Sequence, residues 1–275
     1  MWYLSREEKI HYALRLAVSM CFIGHGVFGI ITKSIWCNYF AVFGIGHDMA
    51  YRLMPFVGIM DILQGIIFLF YPIRGIAIWL VFWGAVTASL RPMSGESFAE
   101  LIERAGNYGA PLALLLLSGS ITRANLKKIF QPLMPKKALS TRDLKNTITC
   151  LQVVVFLLIL GHGWLNIIEK KSILQQYANL GFSNPHNMAL TVGILEIAAA
   201  FATLVKPAIA MLLTLLLWKA FSEMFYPHWE LFEWIERGGS YGSILALWLA
   251  IGSLHQRNWA RSFQRKKLWT ENPGY

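Results

Sequence analysis

The sequence predicts an all-α, polytopic membrane protein of eight transmembrane helices, arranged as two parallel four-helix repeats. Three observations predict it. The 275 residues are 56% hydrophobic and only 15% charged, against about 25% charged in an ordinary soluble domain, so polar surface is too scarce for a water-soluble fold of this size. Eight stretches approach the roughly 20 apolar residues that a helix needs to cross a bilayer. The chain also matches itself from one half to the other.

The stretches lie near 11–32, 53–72, 74–91 and 106–122, and again near 148–168, 188–205, 207–226 and 239–255. The charged start at Arg6, Glu7, Glu8 and Lys9 leads into an apolar run too long for a signal peptide, so the first stretch is expected to stay as an anchor. Tyr71-Pro72-Ile73-Arg74 and Lys206-Pro207 divide what would otherwise be two helices of nearly twice a bilayer. Proline tolerates the first turn of a helix and disfavours its interior, so both sites read as hairpins. The organisation is a first four-helix repeat at 1–122, a basic linker at 123–147, a second repeat at 148–255 and a basic tail at 256–275.

An even number of spans leaves both termini on one side, and the cations choose which. The linker carries Arg123, Lys127, Lys128, Lys136, Lys137, Arg142 and Lys145, and the tail Arg257, Arg261, Arg265, Lys266 and Lys267. Both termini are therefore expected in the cytoplasm, with the chain in a cell (inner) membrane. The net charge of +10 belongs to the lipid headgroups on that side. Trp259, Phe263 and Trp269 interleave with the tail cations, as in an amphipathic segment on a leaflet; nucleic acid is not an expected partner.

The internal match is specific. FIGHGVFGIITK at 22–33 aligns with LILGHGWLNIIEK at 158–170, pairing His25 with His162 and Lys33 with Lys170. VGIMDI at 57–62 aligns with VGILEI at 192–197, pairing Asp61 with Glu196; Trp83 falls opposite Trp218. FAELIERAGNYG at 98–109 aligns with LFEWIERGGSYG at 231–242. The offset drops from 137 to 135 to 133, each time in an expected outer loop, where insertions are tolerated.

Polar residues kept twice inside a bilayer are functional candidates, because a charge at the centre of a span costs about 2.5–3.5 kcal/mol. His25 and His162 stand between glycines that leave room for close packing or for a ligand. His25, Gly29 and Lys33 fall on one helical stripe, as do His162, Asn166 and Lys170. Asp61 and Glu196 lie a turn or two inside the next helix; Lys33 or Lys170 is the expected partner. In the repeated Glu-x-x-Glu-Arg-x-Gly-x-Tyr-Gly, Glu100, Arg104 and Tyr108 form a ladder on one face with Glu103 beside it, and Glu233, Arg237, Tyr241 and Glu236 repeat it. Each group has a structural reading beside the functional one: a packed histidine, a helix-to-helix ion pair, an interfacial anchor. Lys219 and Glu223, present only in the second half, are expected to pair with each other. Cys21, Cys37 and Cys150 make no CxxC pair, and the chain has no Gly-rich phosphate loop, nucleophile elbow or HExxH. No metal site is expected, and the sequence names no catalytic residue.

Each half resembles the DoxX/DoxD-like four-helix membrane family. The carriers are the glycine-rich first helix ending in Lys (Gly24 to Lys33, Gly161 to Lys170) and the early acid of helix 2 (Asp61, Glu196). The fourth helix adds a leading Glu (Glu100, Glu233) and a closing Gly-Ser element (Ser118-Gly119, Gly252-Ser253). The resemblance implies a membrane subunit of a redox complex, with other subunits as partners and a quinone held between Tyr108/Tyr241 and His25/His162. The GHG motif, the IERxGxYG pattern and the tandem fusion are departures from the usual single unit. A small-solute or proton transporter and a non-catalytic scaffold or assembly factor stay open as alternative readings.

Overall fold

A computed structural model of the chain describes residues 4–119, 127–224 and 231–271, with side chains up to Leu254. The fold is all-helical, and no strand occurs among the described residues. In chain order the helices are α1 (Arg6–Ile30), α2 (Trp36–Ala41), α3 (His47–Phe70), α4 (Arg74–Met93), α5 (Phe98–Glu103) and α6 (Ala105–Leu117). They continue with α7 (Thr141–Ile167), α8 (Lys171–Asn179), α9 (Pro185–Val205), α10 (Ile209–Glu223), α11 (Leu231–Glu236) and α12 (Gly238–Glu271). Five of them, α1, α3, α4, α7 and α9, are long and apolar enough to cross a membrane.

The helices start where their sequences offer caps. Ser5 and Glu8 form a capping box at α1, Ser97 and Ser140 cap α5 and α7, and Asn184 caps α9 with Pro185 in its first turn. Both expected hairpins form, at Tyr71–Ile73 and Lys206–Ala208. The linker docks on the first: the N–H groups of Arg74 and Gly75 donate to Gln131 O at 3.1 Å and Ile129 O at 2.7 Å. Those donors have no partner within α4 itself.

Three expected spans differ from their outline. The stretch 106–122 is a 13-residue helix, α6, set off from α5 by a break at Arg104. The stretch 207–226 is the 15-residue α10. The stretch 239–255 does not end there: α12 runs without interruption to Glu271, across the expected start of the tail. The second repeat likewise begins earlier than 148, because α7 starts at Thr141 within the expected linker. Arg123, Pro227 and Glu230 lie outside the described residues.

Helix α1 packs along α3 and also along α12, while α7 packs along α9 and along α6. Glycines permit these contacts. A Cβ on Gly26 would stand 2.5 Å from Gly58 O in α3, and one on Gly24 would stand 2.6 Å from Glu236 Cα in α11. The other GHG motif does the same: Gly163 meets Gly193 O at 3.0 Å and Gly161 meets Glu103 Cα at 2.6 Å. At the middle, Gly106 and Gly239 face each other, a Cβ on Gly106 falling 2.6 Å from Gly239 C. Leu14, Leu114, Leu151, Leu158 and Leu247 fill the core between α1, α6, α7 and α12. The exterior is apolar: Phe56, Leu63, Phe70, Phe82, Leu195 and Leu217 are exposed on α3, α4, α9 and α10. An apolar exterior of this kind marks a surface for lipid or a partner.

Gly106→Val is expected to push α6 from α12, destabilising the fold by about 1–3 kcal/mol or more. Gly46→Ala meets open space and should change stability by less than about 0.5 kcal/mol. Thermal melting of the two variants in one detergent checks the contrast.

Candidate functional site

The recurring polar residues gather where α1, α7, α5 and α11 meet. His25 Nδ1 lies 2.7 Å from Asp61 Oδ2, and Trp83 Nε1 donates to Asp61 Oδ1 at 2.8 Å. His162 Nδ1 lies 2.6 Å from Glu196 Oε2, and Trp218 Nε1 donates to Glu196 Oε1 at 2.9 Å. The pairing of His25 with His162, Asp61 with Glu196 and Trp83 with Trp218 is thus repeated in three dimensions. With both carboxylate oxygens accepting, the proton on each histidine is assigned to Nδ1.

Lys33 and Lys170 are not the partners of Asp61 and Glu196. Helix α1 ends at Ile30, and Thr32 at φ 53° turns the chain, so Lys33 leaves the expected stripe with His25 and Gly29. Glu169 at φ 55° does the same before Lys170. Each lysine instead crosses to the opposite half: Lys33 pairs with Glu233, and Lys170 with Glu100 at 2.6 Å.

The arginines extend this network. Arg104 Nη1 donates to Glu100 Oε2 at 2.6 Å and Glu103 Oε2 at 2.9 Å. Arg237 Nη1 donates to Glu103 Oε1 and contacts Glu223 Oε2, both at 2.9 Å. Glu103 is therefore shared by both arginines. Glu236, its counterpart, is buried and makes no hydrogen bond or ion pair among the described residues. Tyr108 and Tyr241 stand outside the expected ladder, because the helix breaks at Arg104 and at Arg237. Their hydroxyls donate to carbonyls seven residues back, on Leu101 and Trp234.

Burial pushes the Tyr39 phenol up, as does its hydrogen bond to Glu96 at 2.5 Å, so this hydroxyl stays protonated and donates.

A cavity of about 90 Å³ opens beside His25. Trp36, Tyr39, Phe40, Phe43 and Trp83 give it aromatic walls; Arg91, Arg104, Asn107 and Glu236 give it a polar end. Trp36 lies against the imidazole at 4.7 Å between ring centroids. A second cavity, of about 330 Å³, shares Trp36, Tyr39, Arg91, Arg104 and Glu236 with the first and reaches Lys33, Lys170, Glu233 and Arg237. Sequence reasoning did not find Trp36 and Tyr39, which have no aromatic counterpart in the second half and so left no repeated signal; Trp83 did recur.

The second half differs. Glu223 stands where the first half has Ala88, and Lys219 where it has Gly84. The two pair with each other as expected, buried beside His162, with Glu223 Oε1 3.9 Å from His162 Nε2. Glu103, His162 and Glu223 converge closely enough to hold a metal ion, but Arg104, Arg237 and Lys219 already meet the two carboxylates. Comparison with protein-family models, curated proteins and solved structures returns no match for this chain.

Glu103→Gln leaves two buried guanidiniums sharing one charge fewer. It should lower stability by about 3 kcal/mol, read as a drop in melting temperature in detergent.

Proposed function

We propose that the chain is an integral membrane subunit of eight spans, made of two DoxX/DoxD-like four-helix units in parallel. Both termini face the cytoplasm of the inner membrane, and the first unit binds the head group of a quinone-type molecule for a membrane redox complex. Five long apolar helices and an apolar exterior support the spans. The three shorter ones fit if α5 with α6, and α11 with the apolar part of α12, cross together. The repeated His–carboxylate–Trp triads and reciprocal Lys–Glu crossings support the duplication.

One observation carries the ligand reading: a histidine fixed by a carboxylate lines an aromatic cavity that also holds an unpartnered buried carboxylate. Asp61 accepts the hydrogen bond from His25 Nδ1–H, which leaves Nε2 as an acceptor on the other side of the ring. Glu236 is a second acceptor lining the same cavity. Two acceptors and flat aromatic walls suit a planar ring bearing hydroxyls, the reduced form of a quinone. Such a group carries two electrons and two protons when bound. The chain's part would be to stack the ring against Trp36 and Tyr39 and to accept hydrogen bonds from its hydroxyls at His25 Nε2 and Glu236, with Asp61 fixing the imidazole tautomer.

Titration of the purified protein with a short-chain ubiquinol, kept reduced and followed by tryptophan fluorescence, tests this. Saturable quenching is expected, weakened at least tenfold by His25→Ala and also by Asp61→Asn. Quenching no different from partition into empty detergent micelles would overturn it.

A further inference from the structure

We propose that the second unit holds a latent copy of the His25 site, closed by its own Lys219–Glu223 pair. Only the identity of the ligand rests on the quinone reading; the closure stands on geometry. The walls can be compared position by position, because the two halves keep register from helix α1 and α7 into the next turn. Thr32 and Glu169 share a positive φ, as do Gly44 and Gly181, and the N–H groups of Trp36 and Ile173 accept the same role, donating to Lys33 O and Lys170 O. Across that register the second unit carries the more polar side chains: Gly29 becomes Asn166, Phe40 becomes Tyr177 and Ala88 becomes Glu223. Phe40 and Ala88 line the first cavity, and Gly29 packs on α3 beside it.

The larger side chains bond to one another. Tyr177 OH donates to Asn166 Oδ1 at 2.8 Å, and Asn166 Nδ2 lies 3.4 Å from Glu196 Oε2. Glu223 lies on the Nε2 side of His162, and its counterpart Ala88 lines the cavity beside His25. A carboxylate of the chain thus stands where a ligand would stand in the first unit, and Lys219 neutralises it. The exposure of the two imidazoles follows: 16% for the His25 side chain and 4% for His162. His162, Glu196 and Trp218 keep the first unit's acceptor geometry, while Ile173 and Gln176 stand where Trp36 and Tyr39 wall the first cavity, so the latent site takes a small hydroxyl-bearing molecule at the imidazole and has no clamp for a planar ring.

The test is carbethoxylation of histidines by diethylpyrocarbonate at pH 7, located by mass spectrometry, beside the ubiquinol titration. In the wild type, His25 should react at least tenfold faster than His162. Lys219→Ala with Glu223→Ala should bring His162 to the rate of His25, with bound ubiquinol staying near one per chain because the second unit has no aromatic wall for the ring. Lys219→Met with Glu223→Gln keeps the volume and should leave His162 protected. If the alanine pair does not fold, Ala88→Gln supplies the reverse reading: His25 should fall to the rate of His162. His162 opening in a protein that binds no ubiquinol supports the closure and overturns the quinone reading. His162 staying protected in the folded alanine pair, or His25 unaffected by Ala88→Gln, overturns the closure whatever the wild type binds.

Discussion

The site depends on how closely α1 and α7 approach the short helices of the opposite half. Gly24 lies against the backbone at Glu236, and Gly161 against that at Glu103. No larger residue fits either place without moving a helix. The second glycine of each motif sets the other contact, against Gly58 and Gly193. A histidine between two such glycines is held from both sides, so its ring meets a carboxylate on one neighbour and the acidic cluster on the other. The charged network follows from the same approach, because only then do Lys33 and Lys170 reach Glu233 and Glu100.

That network is specific before it is stabilising. Buried ion pairs gain little net energy over apolar packing, while a buried charge left without its partner is costly. Lys33 and Lys170 reach across the two halves, and Glu103 ties Arg104 to Arg237. Slipping one half against the other by a helical turn would strand several charges at once. At the far end, Ser253 donates to Glu7 at 2.8 Å and joins the halves a second time.

The helical fold and the choice of polar residues were legible in the sequence, because composition and internal matching report burial and recurrence directly. The hairpins at Pro72 and Pro207 followed from proline chemistry, and Lys219 with Glu223 from i, i+4 spacing. Partners across the halves were not legible. Asp61 was matched to Lys33 by proximity along the chain, whereas the left-handed turn at Thr32 sends the lysine away and His25 with Trp83 takes its place. The ladder through Tyr108 failed for a related reason. Spacing assumes an unbroken helix, and here the crossing of Gly106 and Gly239 coincides with a break at Arg104, a tertiary event that no local signal announces.

One position accounts for much of the asymmetry between two halves of similar pattern. Glu223 replaces Ala88 and fills space beside His162. It also contacts Arg237, which donates to Glu103 as well. Arg104 meanwhile keeps Glu100 and Glu103. Both arginines therefore converge on Glu103, and Glu236 is left facing the cavity at His25. The side chain that closes the second half is thus also the one that keeps an acceptor available in the first. Two equal copies would have neutralised both acids alike; the difference at residue 223 divides them into one structural carboxylate and one that meets the cavity.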